Sequence, residues 1–387
     1  MKKLAIITTH PIQYNAPLFK MLHERNEVEI IVFYTWSQSA AGAKYDPGFG
    51  REINWDIPLL SGYPYTFVNN ISKEPGSHHF KGMDNPTLIS EIKAWKADAV
   101  LVYGWSFKSH LKALKYFKGK IPVFFRGDST LLDARGGFKN VLRKIWLKYV
   151  YSKVDLALYA GAANKSYFLQ HGLQEKQLAF MPHATDNSRF AATEKSSIEG
   201  KAIRNSFSIP KDEMVFLFAG KLEEKKQPGM LADAFAKINN EHAHLIIAGN
   251  GALENELKKR YSGNNSIHFL PFQNQSAMPG LYAACDVFVL PSKGPNETWG
   301  LCLNEVMAAG KPVIATDACG AAYDLIEENE TGFMISRNDQ HALQDKMNYF
   351  ADGRESALKM QDCVLKKIKQ YSYEKDCEAV EKAMKAI

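Results

Sequence analysis

The sequence predicts an α/β fold of two domains, each a parallel sheet between layers of helices. Short β-branched and aromatic runs alternate with longer amphipathic segments, a pattern typical of parallel strands joined by crossover helices. The chain has 387 residues, more than one hydrophobic core usually serves, so two domains are expected. We place the first at 1–190 and the second at 210–365, with 371–387 crossing back to the first.

Apolar runs in the first domain predict five strands, and amphipathic segments predict the helices between them. The predicted strands are 4–9, 29–35, 99–103, 123–126 and 156–159. The predicted helices lie near 15–25, 86–97, 106–118, 138–152 and 162–171. Ligands of open α/β sheets bind beyond the carboxyl ends of the strands, so chemistry is expected in the loops that follow them.

The sequence from 185 to 208 is polar and irregular, and a second series of elements begins near residue 210. Its predicted strands are 215–219, 243–248, 267–270, 287–290 and 312–315. Its predicted helices are 229–238, 253–261, 276–284 and 301–309. The sequence contains no short repeat and no low-complexity segment.

Composition favours a soluble globular protein. Hydrophobic residues make up 45% and charged residues 23%, and no segment approaches the roughly 20 apolar residues that span a bilayer. The N-terminal residues 1–9 are interpreted as a buried strand rather than a signal peptide. The five cysteines lack metal-ligand spacing and favour a reducing compartment, so we expect a cytoplasmic protein.

Positive charge is concentrated in the first half of the chain. Residues 1–190 hold 25 Lys and Arg against 15 Asp and Glu, and residues 108–153 alone hold 12 against two. Apolar residues at helical spacing interrupt this basic segment, above all in the predicted helix 138–152. One interpretation is peripheral contact with an anionic membrane. The alternative is an amphipathic helix whose apolar stripe faces the core and whose opposite, basic face is solvated. Nucleic-acid binding is not expected, because no recognition module accompanies the charge.

Two glutamates after the predicted strand 287–290 are the first candidate site. Glu297 lies in a loop, and Glu305 lies on the helix that follows it. A helix start near Gly300 and Leu301 presents backbone N–H groups that suit a diphosphate. Glu305, further along the helix, is then placed to accept hydrogen bonds from ribose hydroxyls. The alternative is an ordinary loop acid and a solvated helix residue.

The sequence around these carboxylates resembles the family 4 glycosyltransferases, which have the GT-B fold. Glu297 and Glu305 are separated by seven residues, after Phe-Val-Leu-Pro-Ser and before Met-Ala-Ala-Gly-Lys-Pro. Four further segments match in the same order, with Lys221 where the family places an arginine. They are 182–190, 218–226, 245–251 and 331–333.

The resemblance implies two Rossmann-like α/β/α domains facing each other across a cleft, and a retaining hexosyltransferase with a UDP- or GDP-linked sugar donor. It makes Glu297, Lys221 and Lys226 the catalytic candidates. Two lysines can stabilise the charge of a departing diphosphate in place of a metal, and the chain has no Asp-x-Asp. We therefore expect no metal and no cofactor. Alternatively, the lysines belong to a charged surface turn. The donor-binding candidates are Gly220, Thr298, Trp299, Gly300, Leu301 and Glu305.

The first domain is expected to bind the acceptor, a glycan or a lipid-linked molecule of cell-surface polysaccharide or glycolipid synthesis. Here the sequence departs from the family, which commonly has a glycine-rich loop after the first strand. His10, Gln13 and Tyr14 occupy that loop, and Arg126 and Asp128 follow a middle strand. Each group has a structural alternative: His10 can stabilise the strand end, and Arg126 can pair with Asp128.

Two other functions are compatible with the same residues. One is a sugar-nucleotide epimerase or hydrolase of this fold, which turns over donor without an acceptor. The other is a non-catalytic nucleotide-sugar-binding subunit. The paired glutamates and lysines favour glycosyl transfer over these alternatives. The expected location is the cytoplasm, and the inner face of the membrane if the basic helix binds lipid.

Overall fold

The computed structural model describes residues 1–37, 44–46, 48–133, 137–238 and 240–387. These residues form two compact units. Unit 1 contains Met1–Lys44, Pro58–His183 and Tyr373–Ile387, and unit 2 contains Tyr45–Ile57 and Ala184–Ser372. The sequence-based boundaries at 190 and 210 therefore fall inside unit 2.

The described strands and helices follow in chain order. The strands are β1 Lys3–Thr8, β2 Glu29–Tyr34, β3 Lys44–Asp46, β4 Arg51–Ile53, β5 Tyr65–Phe67, β6 Ala99–Tyr103, β7 Val123–Gly127, β8 Leu156–Tyr159, β9 Leu178–Phe180, β10 Met214–Ala219, β11 Ala243–Ala248, β12 Ile267–Leu270, β13 Val287–Leu290, β14 Val313–Thr316 and β15 Gly332–Ile335. The helices are α1 Ala16–Glu24, α2 Leu88–Trp95, α3 Lys108–Phe117, α4 Phe138–Tyr151, α5 Ala162–Gln170, α6 Asn187–Phe190, α7 Glu194–Ser206, α8 Pro228–Phe235, α9 Glu254–Arg260, α10 Met278–Ala284, α11 Cys302–Ala308, α12 Ala322–Leu325, α13 Gln340–Ala351, α14 Arg354–Ile368 and α15 Tyr373–Lys385.

Unit 1 is built on a parallel sheet of order β5-β2-β1-β6-β7-β8-β9. Its central strands are almost wholly buried because helices cover both faces of a parallel sheet. The chain moves outward from β1 through β2 to β5, and then returns to place β6 on the other side of β1. This reversal opens a crevice at the carboxyl ends of β1 and β6.

Unit 2 contains a six-stranded sheet of order β12-β11-β10-β13-β14-β15. The registered pairs are parallel throughout, so the predicted parallel α/β domain is confirmed. Strand order reverses between β10 and β13, which places the loops after these two strands on either side of a crevice. The small pair β3 and β4 comes from the first part of the chain, and most of it groups with unit 2.

The prediction of an irregular segment from 185 to 208 is wrong, because α6 and α7 lie there. Thr193 begins α7 with a capping box, in which its side chain accepts from the backbone N–H of Ser196. The buried residues of α7 are Ser196, Gly200 and Arg204, so no apolar periodicity marks its inner face. A Cβ on Gly200 would lie 2.8 Å from the carbonyl carbon of Ala283, which shows how closely α7 packs on α10.

Helix α4 has two apolar faces. Leu147, Val150 and Tyr151 are buried and attach its C-terminal half to unit 1. The other apolar residues at helical spacing are exposed by 40–62%, so the expected core-facing stripe is wrong for them: Val141, Leu142, Ile145, Trp146 and Tyr149. The side chain of Phe138 lies outside the described residues. Within the described ranges, the helices are too short or too polar to cross a membrane.

A buried histidine joins three strands of unit 1. His110, which is 0% exposed, donates from Nδ1 to the carbonyl of Tyr103 at 2.9 Å. Its Nε2 lies 3.0 Å from the Thr35 hydroxyl, which also lies 3.2 Å from both the carbonyl oxygen of Thr8 and the sulfur of Met83. Because burial disfavours the imidazolium, the pKa of His110 falls to about 4.

We expect the thermal unfolding temperature to fall as the pH is lowered from about 7 to about 5. The unfolded chain takes up a proton near the ordinary histidine pKa of 6.5, whereas folded His110 stays neutral until about pH 4. Stability is thus present at neutral pH and lost in acid, by about 2 kcal/mol for this group at pH 5. His110→Asn, which keeps a donor toward Tyr103, should flatten this dependence. The exposed-site control His341→Asn should not, and equal slopes for all three proteins would contradict the assignment.

Candidate active site

The site is built at the reversal between β10 and β13. Strand β13 is fully buried, and Ser292 follows it with no exposure. The hydroxyl of Thr316, the last residue of β14, donates to the carbonyl of Ser292. The Ser292 hydroxyl in turn donates to Glu297 Oε2 at 3.0 Å. The end of β13 therefore holds the Glu297 carboxylate through Ser292, which lies in the Phe-Val-Leu-Pro-Ser motif but was not among the candidate residues.

Glu297 and Lys226 are brought together by the loops after β13 and β10. The Lys226 ammonium donates to Glu297 Oε2, and the two side chains are 18% and 11% exposed. Burial opposes the lysine charge, but the Glu297 carboxylate outweighs it and raises the pKa of Lys226. Lys226 therefore carries its positive charge inside the crevice, and the alternative of a solvated surface turn does not describe it.

Lys221 lies in the same loop but pairs with another carboxylate. Its ammonium is 2.9 Å from Asp46 Oδ1, and it stands over the ring of Phe49 at 5.1 Å. Burial raises the pKa of Asp46, but the Lys221 ammonium and two backbone N–H groups hold it below its ordinary value. Asp46 could not be selected from the sequence, because a contact between residues 175 positions apart leaves no local pattern.

Further contacts attach the segment Tyr45–Ile57 to unit 2. Phe272, just after β12, meets the ring of Phe49 edge-on at 4.9 Å and lies under the Arg51 guanidinium at 5.0 Å. The Asn274 side chain donates to the carbonyl of Asn54 at 2.7 Å. Described residues of this segment therefore contact Lys221, in the loop after β10, and the residues that follow β12.

Glu305 is placed differently from a solvated helix residue. It lies in α11 with 2% exposure, and its Oε2 accepts a hydrogen bond of 2.5 Å from the Tyr282 hydroxyl. At the start of this helix Trp299 is buried, and its indole N–H donates to Asn304 at 2.8 Å. Thr298 and Leu301 are half-buried.

Two glycines allow the loops of the site to approach one another. Gly300 has φ +96°, and a Cβ there would lie 2.6 Å from the Cys319 sulfur. A Cβ on Gly249 would lie 1.9 Å from the carbonyl oxygen of Gly220. The Gly220 N–H also donates to the Ala248 carbonyl at 3.0 Å, so the strand ends of β10 and β11 are joined here. The Gly249-Asn-Gly251 sequence is thus a tight turn with a packing role.

The acceptor candidates lie in unit 1. His10 Nδ1 is 3.0 Å from the Thr9 hydroxyl, and its ring meets Trp36 edge-on at 5.3 Å. Gln13 and Tyr14 are half-buried in the turn before α1, where the Tyr14 carbonyl accepts from Tyr373 at 2.9 Å. These contacts fix the loop after β1 against unit 1.

Arg126 and Asp128 lie at the end of β7. Arg126 is 7% exposed, and its guanidinium donates to the carbonyls of Leu158, Met181 and Pro182. Burial and the Arg126 charge lower the pKa of neighbouring His183 to about 4, against the opposing effect of Asp128. Arg126 thus joins the ends of β7, β8 and β9, and the structure adds His183 to this polar group.

Comparisons with solved structures identify the fold. The chain aligns over its full length with HepE from Anabaena in complex with UDP, at 16% identity and a TM-score of 0.74, with 100% of both chains covered. It also aligns with the lipopolysaccharide outer core galactosyltransferase WaaB, at 14% identity and a TM-score of 0.69, with 99% of both chains covered. The two parallel-sheet units therefore have the GT-B fold.

The sequence of unit 2 resembles a known family. Residues 200–365 match the model of the family described as glycosyl transferases group 1. A sulfoquinovosyl transferase, SQD2 of Arabidopsis thaliana, is 26% identical over 285 residues, which are 70% of this chain and 53% of that protein. The chain thus spans about half the length of this relative. The matched region contains Lys221, Lys226, Glu297 and Glu305.

Proposed function

We propose that the protein is a retaining glycosyltransferase of family 4 that moves a hexose from a nucleoside-diphosphate sugar to a glycan or lipid-linked acceptor. The observation that supports this most directly is the meeting of Lys226 and Glu297 at the strand-order reversal of unit 2. Crevices of this kind bind nucleotides in open α/β sheets. UDP is the first nucleotide to test, because the HepE structure contains it. GDP is the second.

The two lysines would neutralise the leaving diphosphate. Lys226 and Lys221 are each paired with a carboxylate, so each ammonium is already desolvated in part and held in place. Phosphate oxygens are stronger partners for an ammonium in such a site, since they share more negative charge. Charge stabilisation by the two lysines removes the need for a metal, and we propose a metal-independent reaction without a cofactor.

Glu297 would act at the sugar. When Lys226 binds the diphosphate, the Ser292 hydroxyl still holds the Glu297 carboxylate, which can then accept from donor-sugar hydroxyls. The bond from the anomeric carbon to phosphate oxygen breaks, and the acceptor oxygen bonds to that carbon on the same face. The acceptor proton passes to a phosphate oxygen of the departing diphosphate. The nearby carboxylate stabilises the positive charge of the oxocarbenium-like transition state.

The remaining donor contacts would come from residues around the same crevice. Glu305 is proposed to hold the ribose, and Gly220 and the backbone from Thr298 to Leu301 to surround the diphosphate. On the acceptor side, the loop with His10, Gln13 and Tyr14 and the polar group of Arg126 and Asp128 supply hydrogen-bonding side chains.

We further propose that α4 rests on an anionic membrane surface, which brings a lipid-linked acceptor to a cytoplasmic enzyme. Its exposed stripe, Val141 to Tyr149, contains a tryptophan and a tyrosine, which suit the headgroup region. Lys115 and Lys153 stand over the Tyr149 ring at 5.3 and 4.7 Å, so cations border the apolar surface. Such a combination favours anionic lipid.

Nucleotide binding tests the donor site. We expect UDP or GDP to raise the unfolding temperature in the presence of EDTA. Lys226→Ala should weaken that binding by about 10-fold or more, the effect of losing a charged hydrogen bond, and Glu305→Ala should weaken it also. Lys225→Ala is the matched control, because Lys225 lies in the same turn but is 42% exposed and pairs with Glu223.

If no nucleotide stabilises the protein and Lys226→Ala behaves as wild type, the donor site is wrong. Product analysis then separates the other functions. Turnover of donor sugar without any acceptor would indicate an epimerase or hydrolase. Binding without product under any acceptor would indicate a non-catalytic subunit, and a new glycoside with the donor's anomeric configuration supports retention.

Asp46→Asn should tighten UDP binding by about fivefold, because it frees Lys221 from a partly exposed ion pair of about 1 kcal/mol. Calorimetry would measure the change. Asp56→Asn is the matched control, since Asp56 is in the same segment but accepts from Ser276. Uridine, which has no phosphate, should bind both variants like wild type. Weaker UDP binding by Asp46→Asn would instead mean that Asp46 supports the site.

Vesicle sedimentation tests the membrane contact. We expect binding to vesicles with phosphatidylglycerol, less binding as salt rises, and little binding to phosphatidylcholine alone. Replacing Ile145 and Trp146 together by Ser should abolish sedimentation, because both are exposed apolar residues of α4. Ile198→Ser is the control, since Ile198 is 60% exposed on α7. No sedimentation of the wild type, or no effect of the double change, would refute the proposal.

A further inference from the structure

The Glu305 carboxyl group is buried in unit 2 beside a partner, Tyr282, that lies outside the sequence motifs. Glu305 is 2% exposed, and the Tyr282 hydroxyl donates to its Oε2 at 2.5 Å. A carboxyl group taken out of water needs hydrogen bonds to remain there. The Tyr282 hydroxyl supplies one of them, from a helix 23 residues earlier in the chain.

Tyr282 itself is held firmly. It lies in α10 with no exposure, and its ring meets Phe190 edge-on at 5.8 Å and Phe288 at 6.1 Å. Phe288 belongs to β13, whose far end leads into the loop of Glu297. Because the ring packs against Phe190 and Phe288, the hydroxyl is held in position relative to β13, the strand that leads into the loop of Glu297.

We propose that Tyr282 is a positioning residue for donor binding, which orients Glu305 toward the ribose hydroxyls. This inference rests on the proposed function of Glu305. A carboxylate has two oxygens, each able to accept more than one hydrogen bond. The phenol restrains the carboxylate through Oε2, and in the proposed role the carboxylate oxygens accept from two vicinal hydroxyls. Tyr282 acts through Glu305 and does not touch the reacting atoms.

The geometry separates this role from simple packing. Tyr282→Phe retains the ring and its contacts with Phe190 and Phe288, and removes only the hydroxyl that reaches Glu305. A packing role is therefore kept in the variant. An orienting role is lost, and the loss should appear only with ligands that have ribose hydroxyls.

The test compares two proteins, each with two nucleotides that differ only in the ribose hydroxyls. Calorimetry would measure the dissociation constants of UDP and 2′,3′-dideoxyuridine diphosphate for wild type and Tyr282→Phe. We expect wild type to prefer UDP by about 10-fold, the size of a hydrogen bond to a charged group, and Tyr282→Phe to lose most of this preference. With UDP-sugar as substrate, KM should rise with little change in kcat.

Two further variants complete the test. Tyr261→Phe is the matched control, because the Tyr261 hydroxyl also donates to a carboxylate, Asp233, at 2.5 Å in unit 2. It should keep the wild-type preference for UDP. Glu305→Gln should lose the preference, and adding Tyr282→Phe to it should cause no further loss.

Each outcome has one meaning. If Tyr282→Phe weakens both ligands equally, or weakens neither, Tyr282 does not position Glu305 and the inference is overturned. If wild type binds UDP but does not distinguish it from the dideoxy compound, Glu305 does not hold the ribose. If wild type binds neither ligand, the use of a uridine nucleotide in the proposed function fails first, which is distinguishable from failure of Tyr282 alone.

Discussion

The reversal of strand order between β10 and β13 is the constraint on which the candidate site depends. The loops after neighbouring parallel strands normally turn toward the same face of the sheet. After β10 and β13 the chain turns toward opposite faces, so the two loops separate. The separation leaves a crevice that side chains must fill or a ligand must occupy. Lys226 reaches it from the loop after β10, and Glu297 from the loop after β13. The buried core of both strands supplies the rigidity.

Charge pairing in this crevice follows from burial. An isolated ammonium with 18% exposure would lose much of its hydration, so Lys226 needs an anion beside it at all times. Glu297 meets that need in the structure, and a diphosphate would meet it in the proposed reaction. Lys221 has the same arrangement with Asp46. A site that holds its cations on internal carboxylates keeps them desolvated and oriented, and lets the ligand exchange one anion for another.

Sequence patterns predicted the elements with strong local signals. Strands β11, β12 and β13 begin and end at the predicted residues, because each is a short, mostly apolar run between polar turns. Helix α7 was missed because its buried positions are Ser196, Gly200 and Arg204, none of which marks an apolar face. The edge strands β5 and β9 have three residues each, too few to show a period.

The residues of the candidate site divide in the same way. Glu297, Glu305 and Lys226 could be selected because they lie within short motifs that follow predicted strands. Their partners could not: Asp46 comes from 175 residues away and Tyr282 from a neighbouring helix, so only the folded chain brings them together. The sequence also left open whether Glu305 is solvated, since spacing along a helix does not say which face meets the core.

Strand β13 is fixed at both ends, which explains how a loop as polar as 291–297 can remain in one arrangement. At its start, Asp286 is 5% exposed and accepts from Arg204 at 2.6 Å and from the Val215 N–H at 2.9 Å through Oδ2. Its Oδ1 accepts from Arg354 at 2.6 Å. Removing this carboxylate would leave the buried Arg204 guanidinium without its anionic partner. Asp286 therefore joins α7 and α14 to β10 and β13, and the position of Glu297 at the other end depends on that junction.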